Sequence, residues 1–138
     1  MSGTEGLTVA AWLYERLSSD AQLASLVNGV FDTVAPPDAV LPFVVISEVG
    51  TPTDTNALPA SRVLVTGEWQ VRVTVEGMSW QPAAAAVQRI DALLQGATAS
   101  RADGEVLGCA RVSTVKYPET SNGRHYRHLG GVYQIAAQ

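Results

Sequence analysis

Val63-Leu64-Val65-Thr66-Gly67-Glu68-Trp69-Gln70-Val71-Arg72-Val73-Thr74-Val75-Glu76 alternates almost without a break. Val63, Val65, Trp69, Val71, Val73 and Val75 fall on one side, and Arg62, Leu64, Thr66, Glu68, Gln70, Arg72, Thr74 and Glu76 on the other. A period of two means a strand with one buried and one mostly wet face. Gly67 lies on the apolar side and predicts a bulge. The run is well past the about five or six residues of a typical strand. It is therefore expected to project beyond the core, as a hairpin arm with the segment before it.

That preceding segment, Gly50 to Ser61, carries Pro52, Asp54, Asn56 and Pro59 and few large apolar groups. Proline cannot donate to a ladder, so the sequence predicts no continuous central strand here. Two readings stand: a functional or ordering loop, and a flexible surface hairpin. Further upstream, Phe43 to Val49 is apolar and β-branched and predicts a buried strand, while Val30-Phe31-Asp32 predicts a short extended piece.

The N-terminal region reads as helical. Leu7, Ala10, Ala11, Tyr14 and Leu17 share one helical face and predict a helix over 7–17. Ser19 with Gln22 has capping-box spacing and predicts a second short helix, with Leu23, Leu26 and Val27 inward and Asn28-Gly29 ending it in left-handed conformation. On the far side of the long strand, Gly77 to Gln81 is a turn and Pro82 suits a first helical position. Ala83, Ala86, Val87, Ile90, Leu93 and Leu94 then mark an amphipathic helix that Gly96 ends. Val106 to Tyr117 and Tyr126 to Ala136 read as a final strand pair around Asn122-Gly123, a hairpin signal, and Gly130-Gly131 predicts a bulge or a close backbone contact. The order α-α-β-β-β-α-β-β predicts one α+β domain over 1–138: an antiparallel or mixed sheet with helices packed on one face and a long hairpin or loop projection.

Composition narrows the function. The 138 residues are 46% hydrophobic and 16% charged, which is globular. Net charge is −4 and the pI near 5.0, against a protein whose main task is gripping nucleic acid. The charge is uneven. From Arg111 to His128 stand Arg111, Lys116, Arg124 and Arg127 with two histidines, against Glu119 alone; the stretch to Asp54 has one arginine against seven carboxylates. Such polarity either orients neighbours in an assembly or is a solvated face. One cysteine, Cys109, excludes an internal disulfide, and neither a signal peptide nor a membrane-length apolar run is found, so a soluble chain made in a cytoplasm is expected.

Chemistry-bearing patterns are sparse. Cys109, with His125 or His128 as base, is a conceivable nucleophile, but its apolar strand context suits an inert buried thiol. His125 and His128 are three apart on a strand and point to opposite faces, which disfavours a shared metal. No phosphate-binding glycine loop and no nucleophile-elbow motif occurs. Arg124, Tyr126 and Arg127 with Arg111 and Lys116 form a small basic–aromatic set that suits a neighbouring subunit at least as well as a nucleic acid. The residues assign no catalytic, cofactor-binding or metal position and imply no cofactor.

The order of segments is itself informative. Ser19 to Val27 is followed by Gly29-Val30-Phe31-Asp32, Ala35-Pro36-Pro37 and Leu41-Pro42-Phe43-Val44-Val45-Ile46-Ser47-Glu48, then a polar loop, the long alternating strand, an alanine-rich helix ending Ala92-Leu93-Leu94, and a closing Gly130 to Tyr133 strand. Over nearly the whole chain this resembles the tail completion, or tail terminator, proteins of long-tailed bacteriophages. The resemblance implies a non-enzymatic virion protein, assembled in the host bacterial cytoplasm, that forms a ring, usually a hexamer, at the head-proximal end of the tail tube. It implies as partners other copies of the chain, the tube protein and the head-completion or stopper protein, with DNA passing through the lumen unread and no membrane involved. Candidate interface residues are then Thr51, Thr53, Asp54, Asn56 and Arg62 on the arm, and Arg111, Lys116, Arg124 and Arg127 on the basic strand pair. Alternatives are a connector or minor tube protein of the same assembly, a small enzyme or ligand-binding domain around Cys109, His125 and His128, and a nucleic-acid-binding module.

Overall fold

A computed structural model describes residues 3–58 and 61–138. Helices α1 (Glu5–Ser18) and α2 (Ala21–Ala24) precede strands β1 (Val30–Asp32), β2 (Phe43–Ala57) and β3 (Ser61–Glu76). A single 3-10 turn over Gln81–Ala83 leads into α3 (Ala84–Leu94), followed by β4 (Ala99–Arg101), β5 (Gly104–Ser121) and β6 (Arg124–Ala137). The six strands form one mixed sheet in the order β1-β2-β3-β6-β5-β4, curled into a half-barrel. Only β1 and β2 run parallel.

The core joins all layers. Val9, Trp12, Leu13 and Leu17 of α1 and Ile90, Leu93 and Leu94 of α3 share one apolar cluster with Val44, Ile46, Trp69, Val71, Val73, Tyr133 and Ile135 of the sheet. The buried stripe of α1 is Glu5, Thr8, Val9, Trp12, Leu13 and Leu17. This corrects the expected face: Leu7 and Tyr14 are 70% and 47% exposed. Two helical stripes compete in this sequence, and the one with Trp12 and Leu13 buries more apolar surface. Arg16 Nε donates to the Leu93 carbonyl at 3.0 Å, satisfying a carbonyl at the C-terminal end of α3.

Other local expectations are also corrected. Asp20, not Ser19, caps α2, accepting the Leu23 N–H at 2.9 Å; the Ser19 hydroxyl turns back to the Glu15 carbonyl and is unavailable. Asp20 takes the Arg89 guanidinium as well, at 2.9 and 2.7 Å, and so ties α2 to α3. Neither Asn28 nor Gly29 adopts positive φ; Asn28 instead bonds Leu41 and Pro42 across the β1–β2 connection. Pro82 stands in the first positions of the 3-10 turn, two residues before α3 begins. The short β4, unforeseen in the sequence, pairs with β5 at the sheet edge.

Of the two readings of Gly50 to Ser61, the hairpin holds: Gly50 to Ala57 is strand and continues β2 against β3 with irregularities between Val49 and Thr53 and between Thr55 and Asn56. Pro52 falls in the first of these, where no ladder N–H is demanded. The bulge is therefore in β2 opposite Gly67, while Gly67 itself stays in register with Ile135. The part of the former loop at Pro59 and Ala60 lies outside the described residues. Inward alternation holds from Gly67 to Val75 and fades toward the arm, where Val63 is 40% exposed.

Gly130 and Gly131 make close approaches and not a bulge between β3 and β6. A Cβ on Gly130 would lie 2.0 Å from the Val71 carbonyl oxygen, and one on Gly131 2.9 Å from Arg111 Nε. Asn122 and Gly123, both at positive φ, form the two-residue turn that the sequence predicts.

Candidate functional site

Two arms set the geometry. The β2–β3 turn lies at the start of β3, and the β5–β6 turn at the start of β6. β3 and β6 are antiparallel neighbours, with Val65 opposite Ala137 and Glu76 opposite Tyr126. The two hairpin tips therefore point to opposite ends of the sheet. On the first arm, Thr51, Thr53, Asp54 and Asn56 are exposed. Arg62 bridges Asp54 at 3.8 Å and the buried Glu5 at 3.7 Å, joining the arm to α1.

The basic residues of the second arm do not form one patch. Arg124 is held by Glu76 in a two-pronged pair, both bonds 2.7 Å, and this pairing lowers the Glu76 carboxyl below its usual range. Arg111 donates to the Thr114 hydroxyl at 2.7 Å, beside a strand irregularity. Lys116 and Arg127 converge on Trp80, 4.9 and 5.3 Å from its ring centre, with Arg127 also near the Met78 sulfur at 3.6 Å. Neither has a carboxylate partner among the described residues. Sequence spacing could not group Trp80 with cations some forty positions later; the register of β5 on β6 puts the two cations on one face, and Trp80, just after β3, lies against them.

The sheet face away from the main core carries a polar cluster. Pairing aligns Thr74, His128 and Tyr117 across β3, β6 and β5. His128 is buried, stacked on Tyr117 at 4.4 Å between centroids. Its Nδ1 lies 2.9 Å from the Thr74 hydroxyl and accepts from Arg72 Nε at 3.4 Å. Arginine has no acceptor, so Nδ1 must be unprotonated and Nε2 carries the hydrogen, donated to Glu119 at 2.7 Å. Burial pushes the histidine pKa below its ordinary value, Arg72 adds to this, and Glu119 opposes it.

This cluster borders a cleft of about 670 Å³ roofed by the segment between β1 and β2, whose Val34 and Val40 are 71% and 66% exposed. Threonine, histidine and glutamate in line have the composition of a nucleophile relay, but Thr74, at the cleft wall, is only 2% exposed. Cys109 is on the opposite, core-facing side of the sheet, opposite the buried Ile135, and burial pushes its thiol up to about 12. His125 is exposed and contacts Thr120 at 3.1 Å. The structure thus keeps Cys109, His125 and His128 apart. Among the described residues no group of three or more His, Cys, Asp or Glu could hold a metal, and no helix is long and apolar enough to cross a membrane. What the molecule offers is contact surface: two opposed arms, an aromatic–cation platform and a roofed cleft.

Comparison with known proteins bears on which contacts these are. A chain in the virion of a native gene transfer agent (GTA) particle has the same fold, with a TM-score of 0.75 over 99% of this chain and 100% of that one, at 19% identity. No protein of curated function matches significantly in sequence. The family described as tail completion protein gp17 matches residues 11–130, from within α1 to the Gly130 that lets β6 approach β3. Over that span the chain belongs to the tail completion protein gp17 family, and it is a structural component of a phage-like virion, not an enzyme.

Proposed function

We propose that the protein caps the head-proximal end of the phage tail tube as a ring of identical copies, most simply a hexamer, ending tube growth and presenting a surface to the head-completion protein. The observation that carries this reading is the opposed placement of the two hairpin arms. A joining protein must contact two different partners on two sides, and antiparallel β3 and β6 supply two ends from one rigid sheet. The helices lie on one face of that sheet in this account, leaving the arms free. Thr51, Thr53, Asp54, Asn56 and Arg62 serve one partner or a neighbouring copy; Arg111, Lys116, Arg124 and Arg127, spread along the β5–β6 pair, serve another. An overall charge of −4 suits a lumen through which DNA slides without being held.

Removal of Thr53 to Leu58 tests the arm. These residues are exposed, so the shortened chain should still unfold cooperatively, while purified tail tubes incubated with it should go on elongating where the intact protein stops them. A folded, shortened chain that stops elongation as well as the intact one would remove the first arm from the account.

A further inference from the structure

Among the described residues, four of the nine basic side chains pair with carboxylates: Arg62, Arg89, Arg101 and Arg124. Arg16 caps a helix, Arg72 faces His128 and Arg111 is bonded to Thr114. Lys116 and Arg127, the latter bonded to its neighbour Tyr126's carbonyl at 3.1 Å, both rest on the same partly exposed indole, Trp80, beside Met78, which is 67% exposed. An aromatic ring, a methionine and two cations without anions form the type of surface that anchors protein interfaces.

A complementary feature lies on the opposite flank of the sheet. Between α1 and the β1–β2 edge runs a shallow groove floored by Gly6, Ala10 and Trp69 and flanked by Leu7, Asp32 and Glu48. Leu7 is 70% exposed, and neither Asp32 nor Glu48 has a cationic partner among the described residues. Both sets face the core-bearing side of the sheet. Asp32 is in register with buried Ile46 and Glu48 with buried Trp69; Lys116 is in register with Leu129 and Arg127 with buried Val75. The groove belongs to β1, β2 and β3, the cations to β6 and β5.

We infer that these are the two halves of one contact between copies of this chain: Met78, Trp80, Lys116 and Arg127 of one copy seat in the Leu7, Asp32 and Glu48 groove of the next. Unlike patches on opposite flanks make a head-to-tail contact, which closes into a ring when the rotation permits. Charge complementarity fixes the direction, and small residues in the groove floor leave room for an indole. The inference rests on the proposed ring and names the surfaces that build it. A stretched nucleic acid is the other anionic partner that aromatic and cationic groups can take. Two cations on an acidic chain, set beside an apolar methionine, favour the protein partner.

The test is a charge exchange on the full-length chain, read by light scattering across concentration. K116E/R127E and D32K/E48K should each raise the apparent dissociation constant of self-association by about tenfold or more, and an equimolar mixture should recover the wild-type value, because each variant then finds its complement in the other. A misfolded variant cannot be restored by mixing, and circular dichroism on each confirms folding. Two folded variants that associate as the wild type does, or a mixture that recovers nothing, would overturn these surfaces while leaving the ring intact. A wild-type chain that stays monomeric both free and on tail tubes would overturn the ring and this contact together. Unchanged association with lost binding to a single-stranded oligonucleotide would assign the platform to nucleic acid instead.

Discussion

Gly130 shows how much one missing side chain can decide. Its Cβ would sit 2.0 Å from the Val71 carbonyl oxygen, and the obstacle is backbone in the centre of the β3–β6 pair, not a flexible tip. Gly130→Ala should cost about 3 kcal/mol in urea unfolding, whereas Gly108→Ala, with nothing within 4 Å, should change stability by no more than about 0.5 kcal/mol. The Gly-Gly pair was visible in the sequence as a close approach or a bulge; which of the two it is depends on the strand beside it. His128 was legible only as a strand histidine on the face opposite His125. Its burial and its links to Thr74, Arg72 and Glu119 arise from three strands that are distant in sequence. The folded protein holds its pKa below the ordinary 6.5. The unfolded chain therefore binds the extra proton first, and the stability this site contributes is complete above about pH 6.5 and lost as pH falls through the folded value. Glu119→Gln keeps an acceptor for Nε2–H but removes the charge that opposes the shift. Proton NMR should then find the His128 pKa lower still, and an upward move would contradict the tautomer assigned here.

Elements follow sequence where local rules act alone and depart from it where tertiary partners intervene. The alternation over β3, the Asn122-Gly123 turn and α3 were all readable, because periodicity and turn chemistry are local. The face of α1 was not, since two stripes of suitable spacing exist and only the packing of Trp12 and Leu13 selects between them. The second half of β2 was left open between loop and hairpin for a different reason. Pro52 and a polar composition argue against a central strand, but a bulged arm paired on one side asks for neither unbroken donors nor apolar residues. α2 has only one turn and depends on its cap. Asp20→Ala removes both the acceptor for Leu23 N–H and the partner of Arg89, and should cost about 1–2 kcal/mol. Asp20→Asn, which retains a capping oxygen, should cost less. The same carboxylate is held down to about 2, chiefly by the Arg89 hydrogen bond. Its contribution is present above the ordinary value of 3.8 and is lost as pH falls through about 2. A wild-type urea midpoint that falls in two stages on acidification, the second absent in Asp20→Ala, is the expected signature.

At the scale of the whole molecule, the order of segments pointed to the tail completion proteins before any strand was paired, and the match over residues 11–130 places the chain in that family. The sheet order β1-β2-β3-β6-β5-β4 was beyond the reach of sequence, because β6 inserts beside β3 after a helix and two further strands have been made. That insertion is what turns the two hairpins to opposite ends and puts unlike charges on opposite flanks. The candidate interface residues were named from the sequence as one set, and the fold divides them: Arg124 bonds Glu76 and Arg111 bonds Thr114, while Lys116 and Arg127 join Trp80 and Met78, which composition alone gave no reason to include. The account stands or falls on what the tail does without this protein. The most direct measurement is electron microscopy of lysates from a phage carrying a deletion of its gene, with tail length and head attachment scored before and after the protein is supplied. Filled heads beside unattached or overlong tubes, corrected by the added protein, are the predicted result; particles with joined tails of normal length would contradict it.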